Sequence, residues 1–297
     1  MRPNRHLVPA LSRPVHQPRH WVALAFWIGS SPVWAVDPPL KVQGSSTVNP
    51  VCAEASEILG KQEGMAITVD PQGGSSGGLA ALGHGLVDVA MSSKPVSDRE
   101  RKRYPEVSFH ETVIGTDAVA LVVSSPIHAG GLESLSRDEI RGIFEGRITS
   151  WSEVGGPHLA VFVYDKEPGR GTREVFEAFV YGKEEPPFVT FKNYAQVGGN
   201  EETRTKVAAH GSAISQLSAT WAKGDSGLAV VGIRSEEGRV IWPDEASIRS
   251  GEYPMARKLF LVTNGPPIGN ARTFIDFILS SAGQELVERH GYLPLSR

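Results

Sequence analysis

The sequence predicts an α/β fold, because short β-like runs alternate along the chain with segments of helical periodicity. Several β-like runs are apolar throughout, a composition typical of strands that helices cover on both faces. The helical segments also begin at recognisable capping or turn residues. With 297 residues the chain can form one large domain or two of ordinary size. No long linker separates two halves, so two domains would require the chain to cross between them more than once.

The predicted strands are rich in apolar and β-branched residues, and they lie at 40–42, 66–69, 87–91, 118–123, 160–164, 228–231, 240–242 and 259–262. The predicted helices start at turns or capping residues. They begin after Thr47, at the capping boxes Ser97/Glu100 and Ser136/Glu139, after Thr172, at Asn270 and at Ser281, and the last of them ends at Gly291.

The N-terminal segment has the composition of an export signal. Four arginines precede the apolar run 22–28, and residues 33–35 supply a small-x-small cleavage site. The run is too short to anchor the chain in a bilayer. We therefore predict that residues 1–35 are a removable signal peptide and that the mature protein is periplasmic or otherwise extracytoplasmic.

Removing residues 1–35 changes the formal net charge from −3 to −7, since four arginines and no acidic residues are lost. This acidic balance argues against a nucleic-acid partner, which would favour a basic face. An anionic ligand would have to be attracted locally, by backbone dipoles and a few placed cations.

Three glycine- and hydroxyl-rich stretches each follow a predicted strand and open a predicted helix: 44–47, 73–78 and 169–173. The first turn of a helix presents free backbone N–H groups at the positive end of its dipole, and glycine lets a ligand approach them. Ligands of open α/β sheets bind beyond the carboxyl ends of strands. The stretches therefore predict a pocket for a small oxyanion, the alternative being ordinary turns rich in turn-forming residues.

Other chemistries lack a motif in this chain. Neither a Walker loop nor a dinucleotide-binding glycine pattern is present in its proper context, and the nine histidines show no metal-site spacing. Cys52 is the only cysteine, so no internal disulfide is expected. We predict no cofactor and no metal.

Several motifs, in order from about residue 40 to 296, are similar to those of one family. They are VQGSSTV (42–48), GSSGG (74–78), VDVAMSSK (87–94), TDAVALVV (116–123), IFEGRITSW (143–151), GTR (171–173) and GYLPL (291–295). On these motifs the chain resembles the periplasmic phosphate-binding proteins of ABC uptake systems, within the type II periplasmic-binding-protein family.

The resemblance implies two α/β lobes joined by crossover strands, one formed by 37–116 with 236–297 and the other by 117–235. It implies a monomeric, non-enzymatic protein that binds inorganic phosphate between the lobes and delivers it to a membrane ABC permease. The phosphate-binding residues that it implies are Ser46, Thr47, Ser75, Ser93, Lys166, Arg170, Gly171 and Thr172.

Three of these positions depart from the family pattern. Lys166 stands where arginine is usual and offers a point charge in place of a planar fork. Arg170 replaces a short hydroxyl donor and would either enter the cleft or swing out of it. Ser93 stands where some members carry an aspartate, which can accept the proton of hydrogen phosphate and repel sulfate. By position, Asp117 and Asp165 are possible substitutes for that acceptor.

Three rival functions stay open on the sequence. The first is binding of another tetrahedral oxyanion such as sulfate, which the residues at positions 93 and 170 would permit. The second is a secreted phosphatase on the same scaffold. The third is a surface or adhesion role with a vestigial pocket.

Overall fold

Strands and helices alternate as predicted across residues 38–295, the part of the chain that the computed structural model describes. The predicted signal peptide at 1–35 lies outside these residues. The strands are β1 (Leu40–Gly44), β2 (Ile67–Asp70), β3 (Val89–Ser92), β4 (Phe109–Ser124), β5 (Ser134–Ser136), β6 (Phe162–Lys166), β7 (Tyr194–Val197), β8 (Ala213–Ser218), β9 (Leu228–Arg234), β10 (Val240–Ile241) and β11 (Ala256–Asn264).

The helices run between these strands, and a 3-10 turn lies at Trp151–Val154. They are α1 (Asn49–Glu63), α2 (Gly74–Gly83), α3 (Asp98–Arg103), α4 (Ser125–Ala129), α5 (Arg137–Phe144), α6 (Gly171–Tyr181), α7 (Asn200–His210), α8 (Ala219–Ala222), α9 (Glu245–Ser250), α10 (Gly269–Leu279) and α11 (Ser281–Arg289).

One long strand connects two groups of strands. The order is β2-β1-β3-β11-β4-β8-β6-β7, with β9 pairing with β4, β5 and β10. The first part of β4 pairs with β11, and its last part, from Val119, pairs with β8 and β9. Parallel pairs dominate towards both ends of this order, whereas antiparallel pairs occur where β4 and β11 meet. The chain therefore crosses from one group to the other along β4.

Two large hydrophobic cores lie on either side of this crossing. One packs α1, α10 and α11 against β1, β3 and β11, with Leu59 and Phe274 fully buried. The other packs α5 and α6 against β4, β6, β8 and β9 around Trp151 and Phe176. We call these the first and the second lobe, and they confirm the two-lobed α/β architecture with a crossover strand.

The residue at which the chain returns from the second lobe to the first stays a prediction. Packing places the chain's return to the first lobe close to the start of β11, because Tyr253 and Met255 are buried in the second lobe's core. The expected boundary at 235/236 would instead assign both residues to the first lobe.

Several element predictions were incomplete or wrong. Strand β8 was missed because Gln216 and Ser218 interrupt its apolar pattern; both are buried and bond to carboxylates. The short strands β5 and β7 and helix α7 were also missed. Helix α10 begins at Gly269 with Ile268 at its N-cap, so the predicted cap at Asn270 was wrong. Helix α11 is capped by the preceding Ser280 and ends at Arg289.

Close backbone packing holds α2 against β1 and so positions the second glycine-rich stretch. A Cβ at Gly78 would lie 2.5 Å from the carbonyl oxygen of Gln43 and 2.8 Å from the Cα of Gly44. Only glycine fits this contact, since both neighbours are backbone atoms. The neighbouring Gly77 has more space, because its nearest such atom is 3.8 Å away.

A buried ion cluster joins the lobes beside the glycine-rich turns. Lys94 of the first lobe lies with its ammonium 2.7 Å from Glu100 and 2.9 Å from Glu174, which belongs to α6 of the second lobe. The Ser76 hydroxyl lies 3.1 and 3.2 Å from oxygens of these two carboxylates, which share its one proton. Burial opposes ionisation of Glu100, but hydrogen bonds from Lys94 and Ser97 outweigh it and lower the pKa of its carboxyl.

We expect Gly78→Ala to destabilise the protein by about 1–3 kcal/mol, because the methyl group forces α2 away from β1. Gly77→Ala is the matched control, in the same helix, and should be neutral or stabilising by up to about 1 kcal/mol. Chemical denaturation of both variants measures the difference. Equal stabilities would contradict the close-packing argument.

We expect Glu100→Gln to cost about 1–3 kcal/mol at pH 7, because a buried ammonium loses a charge-assisted bond. The folded carboxyl has a lowered pKa, so its contribution is complete above the unfolded value of about 4.3 and is lost as the pH falls through the folded value. The stability difference from the unsubstituted protein should therefore shrink in acid, as measured by urea unfolding at several pH values. Glu57→Gln, in an exposed pair with Lys61, should change stability little at any pH.

Candidate functional site

The three glycine-rich turns meet in one place between the lobes. The backbone N–H of Ser76 donates to the carbonyl of Gly169 at 3.0 Å, which joins the second turn to the third. A Cβ on Gly171 would lie 2.6 Å from the Ser75 hydroxyl oxygen and 2.5 Å from that of Ser93. Position 171 therefore favours glycine, since a side chain there would have to displace both serine hydroxyls.

The turns enclose a small cavity of about 10 Å³, room for about one water molecule. Among the described residues, its lining includes every predicted site residue except Ser93, which lies behind Ser75 and donates its backbone N–H to that hydroxyl at 3.0 Å. The lining residues are Ser45, Ser46, Thr47, Gly74, Ser75, Lys166, Arg170, Gly171, Thr172, Gly198 and Asn200.

Helix starts supply the electrostatics of this cavity. The first residues of α2, α6 and α7 all line it, and the turn before α1 contributes Ser45, Ser46 and Thr47. Each helix start carries a partial positive charge and N–H groups that the helix itself does not use. Because they come from separate elements, their dipoles add at one point and favour an anion there.

Lys166 is the buried cation of the site. Its ammonium lies 3.2 and 3.0 Å from the carbonyl oxygens of Gly198 and Gly199, 3.3 Å from Asn200 Oδ1 and 2.5 Å from the Thr203 hydroxyl. Burial lowers the pKa of Lys166 well below its ordinary value, and nearby arginines act in the same direction. The side chain therefore holds the turn before α7 in place at the cavity wall.

Arg170 lies at the mouth of the cavity. Its Nε and Nη2 atoms lie 3.1 and 2.7 Å from the same carboxylate oxygen of Glu167. Its aliphatic part packs over Gly74, and the residue also lines an adjacent open groove of about 390 Å³. Of the two orientations left open by the sequence, the structure thus shows one in which the guanidinium is bound to Glu167 at the rim.

Both carboxylates considered as proton acceptors are bonded elsewhere. Asp165 accepts from Gln216 Nε2 at 2.6 Å and from the Tyr194 hydroxyl at 2.9 Å. Asp117 is bound by Arg257 and by the Ser218 hydroxyl. The cavity lining within residues 38–295 contains no carboxylate.

Two important residues were missed in the sequence. Asn200 spans the cleft: its side-chain amide donates to the Thr47 hydroxyl at 3.0 Å and its backbone N–H to the Ser46 hydroxyl at 3.3 Å. The two glycines that precede it could have indicated a fourth turn of the same kind. Arg257 bonds to Thr47, Ser93 and Thr172 beneath the cavity. It had no local signal, since it is one of two adjacent basic residues that precede the apolar run predicted at 259–262.

Within the described residues, no group of three or more histidine, cysteine, aspartate or glutamate side chains is arranged to hold a metal ion. No helix in the same part of the chain combines the length and apolar character needed to cross a membrane.

The chain matches the PBP superfamily domain over residues 29–282. Phosphate-binding protein PstS of Borreliella burgdorferi is 27% identical over 265 residues, covering 86% of this chain and 90% of that protein. PstS of Bacillus subtilis is 24% identical and covers 86% and 81%. A phosphate-bound ABC transporter substrate-binding protein from Clostridium perfringens has the same fold, with a TM-score of 0.75, 24% identity and coverage of 87% and 100%. The chain therefore belongs to the PBP superfamily, as its motifs predicted.

Proposed function

We propose that this protein is an exported, non-enzymatic and monomeric binding protein that captures inorganic phosphate between its lobes and delivers it to a membrane ABC permease. One observation carries the proposal: helix starts and hydroxyls from both lobes converge on one small cavity. The names of the relatives, which are phosphate-binding and phosphate-transport proteins, support the same ligand and partner.

Donors on both sides of the cleft couple binding to closure. Ser46, Thr47 and Ser75 belong to the first lobe, whereas Gly171 and Thr172 belong to the second. An anion touches both sets only when the lobes are together, so it stabilises the closed form by its differential affinity. Direct bonds across the cleft and the small cavity volume mean that the lobes must separate for phosphate to enter.

The site can offset the loss of the anion's hydration without a high net charge. Removing a charged group from water is costly unless hydrogen bonds replace its hydration shell. Backbone N–H groups and hydroxyls that are already held in place provide these bonds, and bonds to an ionised acceptor are stronger than neutral ones. This local supply explains how an acidic protein can bind an anion.

A second candidate ligand is sulfate or another tetrahedral oxyanion. It is favoured by the lack of a carboxylate among the described residues that line the cavity. A pocket carboxylate would repel a fully ionised anion, whereas hydroxyl and backbone N–H groups can donate to any ligand oxygen that carries a lone pair.

Hydrolysis of a phosphate ester has less support. The lining hydroxyls would need an adjacent general base, such as a histidine, a carboxylate or a lysine amine, to act as nucleophiles. Within the described chain, the lining set contains no histidine or carboxylate, and the Lys166 nitrogen bonds to Gly198, Gly199, Asn200 and Thr203 and to no lining serine or threonine hydroxyl. Binding without turnover is the chemistry that this arrangement favours.

We expect Thr172→Val to weaken phosphate binding by about 1–3 kcal/mol, because the anion loses a hydroxyl donor while side-chain volume is kept. Calorimetry of the mature protein with inorganic phosphate measures the effect. Thr205→Val, at an exposed position of α7, is the matched control and should bind as the unsubstituted protein does. Unchanged affinity in Thr172→Val would remove this residue from the site.

We expect sulfate to compete with phosphate for the site, because the donors that line it do not depend on a ligand proton. A competition titration at constant ionic strength measures the ratio of the two affinities. Sulfate that fails to displace phosphate even at a large excess would require an acceptor for the phosphate proton and would exclude the second candidate.

A further inference from the structure

The guanidinium of Arg257 forms the floor of the site beneath the cavity. Arg257 lies on β11, and only 6% of its surface is exposed. Its Nη1 atom lies 3.0 Å from the Thr172 hydroxyl and 3.3 Å from that of Ser93, and its Nη2 lies 3.2 Å from the Thr47 hydroxyl. One side chain thus contacts hydroxyls from both lobes.

Every donor of this guanidinium has a partner within the protein. Nε and Nη2 donate to Asp117 Oδ2 at 3.0 and 2.7 Å, and the other three N–H groups match the hydroxyls of Thr47, Ser93 and Thr172. Arginine carries five N–H groups and no acceptor, so none is left over for a ligand in this arrangement. Arg257 therefore acts on a bound anion through the hydroxyls above it.

These contacts determine which way the hydroxyls point. The Thr47 oxygen accepts from Arg257 at 3.2 Å and from the Asn200 amide at 3.0 Å, which occupies both of its lone pairs. The Thr47 hydroxyl can therefore act towards a ligand only as a hydrogen-bond donor. The Thr172 oxygen accepts one bond, from Arg257 at 3.0 Å, which occupies one of its two lone pairs and directs its proton away from the guanidinium. Both threonines line the cavity, so both can present O–H groups to it.

A second pair of contacts holds Arg257 itself in place. Asp117 is 3% exposed and takes two N–H groups of the guanidinium, while its other oxygen accepts from the Ser218 hydroxyl at 2.9 Å. The charge of Arg257 is thereby balanced within the protein. Its contribution to the cavity is to position hydroxyl groups, because the planar guanidinium reaches three hydroxyls that a lysine ammonium could not reach together.

Resting on the proposed function, we propose that Arg257 is a positioning residue that fixes Thr47 and Thr172 as hydrogen-bond donors, so that both meet unprotonated oxygens of the bound phosphate. Asp117 is its anchor. The two threonines then favour the face of a tetrahedral oxyanion that carries charge and disfavour a protonated oxygen.

The test is a double-mutant cycle between Arg257→Lys and Thr172→Val, read by calorimetry with inorganic phosphate. Arg257→Lys keeps a cation beside Asp117 but loses the fork, and we expect it to weaken binding about 10-fold or more. Thr172→Val should also cost about 10-fold in the unsubstituted protein. When Thr172→Val is combined with Arg257→Lys, it should cost less than about 3-fold, because the hydroxyl is no longer fixed as a donor. A merely structural role for Arg257 would lower the stability of Arg257→Lys to chemical denaturation but leave the phosphate affinity of the folded protein unchanged.

Two further variants serve as controls for loss of folding and for loss of a positive charge. Arg257→Gln combined with Asp117→Asn replaces the buried ion pair by a neutral amide pair. This double variant also lacks the guanidinium, and it can be tested if Arg257→Lys does not fold. It should lose phosphate affinity and the coupling to Thr172 in the same way. Arg272→Gln removes one exposed positive charge on α10 and should bind phosphate normally.

The outcomes separate the two proposals. Unsubstituted protein that binds no phosphate would overturn the proposed function, and this inference with it. Unsubstituted protein that binds phosphate, with Arg257→Lys equally tight or with independent effects of the two substitutions, would overturn the inference alone. Non-additive losses in both the lysine variant and the neutral double variant would support it.

Discussion

The register between the two strands at the lobe crossing is the constraint on which the rest of the site depends. β4 and β11 run antiparallel, and their pairing places Arg257 directly opposite Asp117. Opposite charges facing each other across a sheet stabilise that register, and here both groups are buried. The pair sits where the chain passes between lobes, so the same contact that aligns the strands also fixes the floor of the cleft.

Above this floor, the cavity is built almost entirely from short groups. Glycines at the turns let backbone and hydroxyls from different lobes meet, and Gly171 is the clearest case because any side chain there would collide with Ser75 and Ser93. The two long basic side chains lie at the edges of the cavity. Lys166 holds the turn before α7, and Arg170 bonds to Glu167 at the rim. Selectivity for an anion therefore comes from many small, oriented dipoles, since no long cationic side chain needs to move into the site.

Closure depends on direct contacts between the lobes, both at the cavity wall and outside it. Lys94 binds carboxylates from both lobes, and Asn200 spans the cleft to Ser46 and Thr47. Each such contact stabilises the closed arrangement whether or not an anion is bound. A ligand shifts the equilibrium only by its differential affinity for the closed form, so these bonds determine how much binding free energy closure itself requires.

Much of the fold and most of the cavity followed from the sequence, because strand alternation, capping residues and glycine-rich turns are local features that need few distant partners. The three turns that carry Thr47, Ser75 and Thr172 were predicted this way, and the structure brings them together. Only the tertiary structure decided that Arg257 lies beneath them and that Asn200 closes the cleft, because both act through contacts with residues more than 80 positions away in the chain. An arginine that precedes an apolar run carries no sign of what it will face, since its partners are set by sheet register and lobe packing.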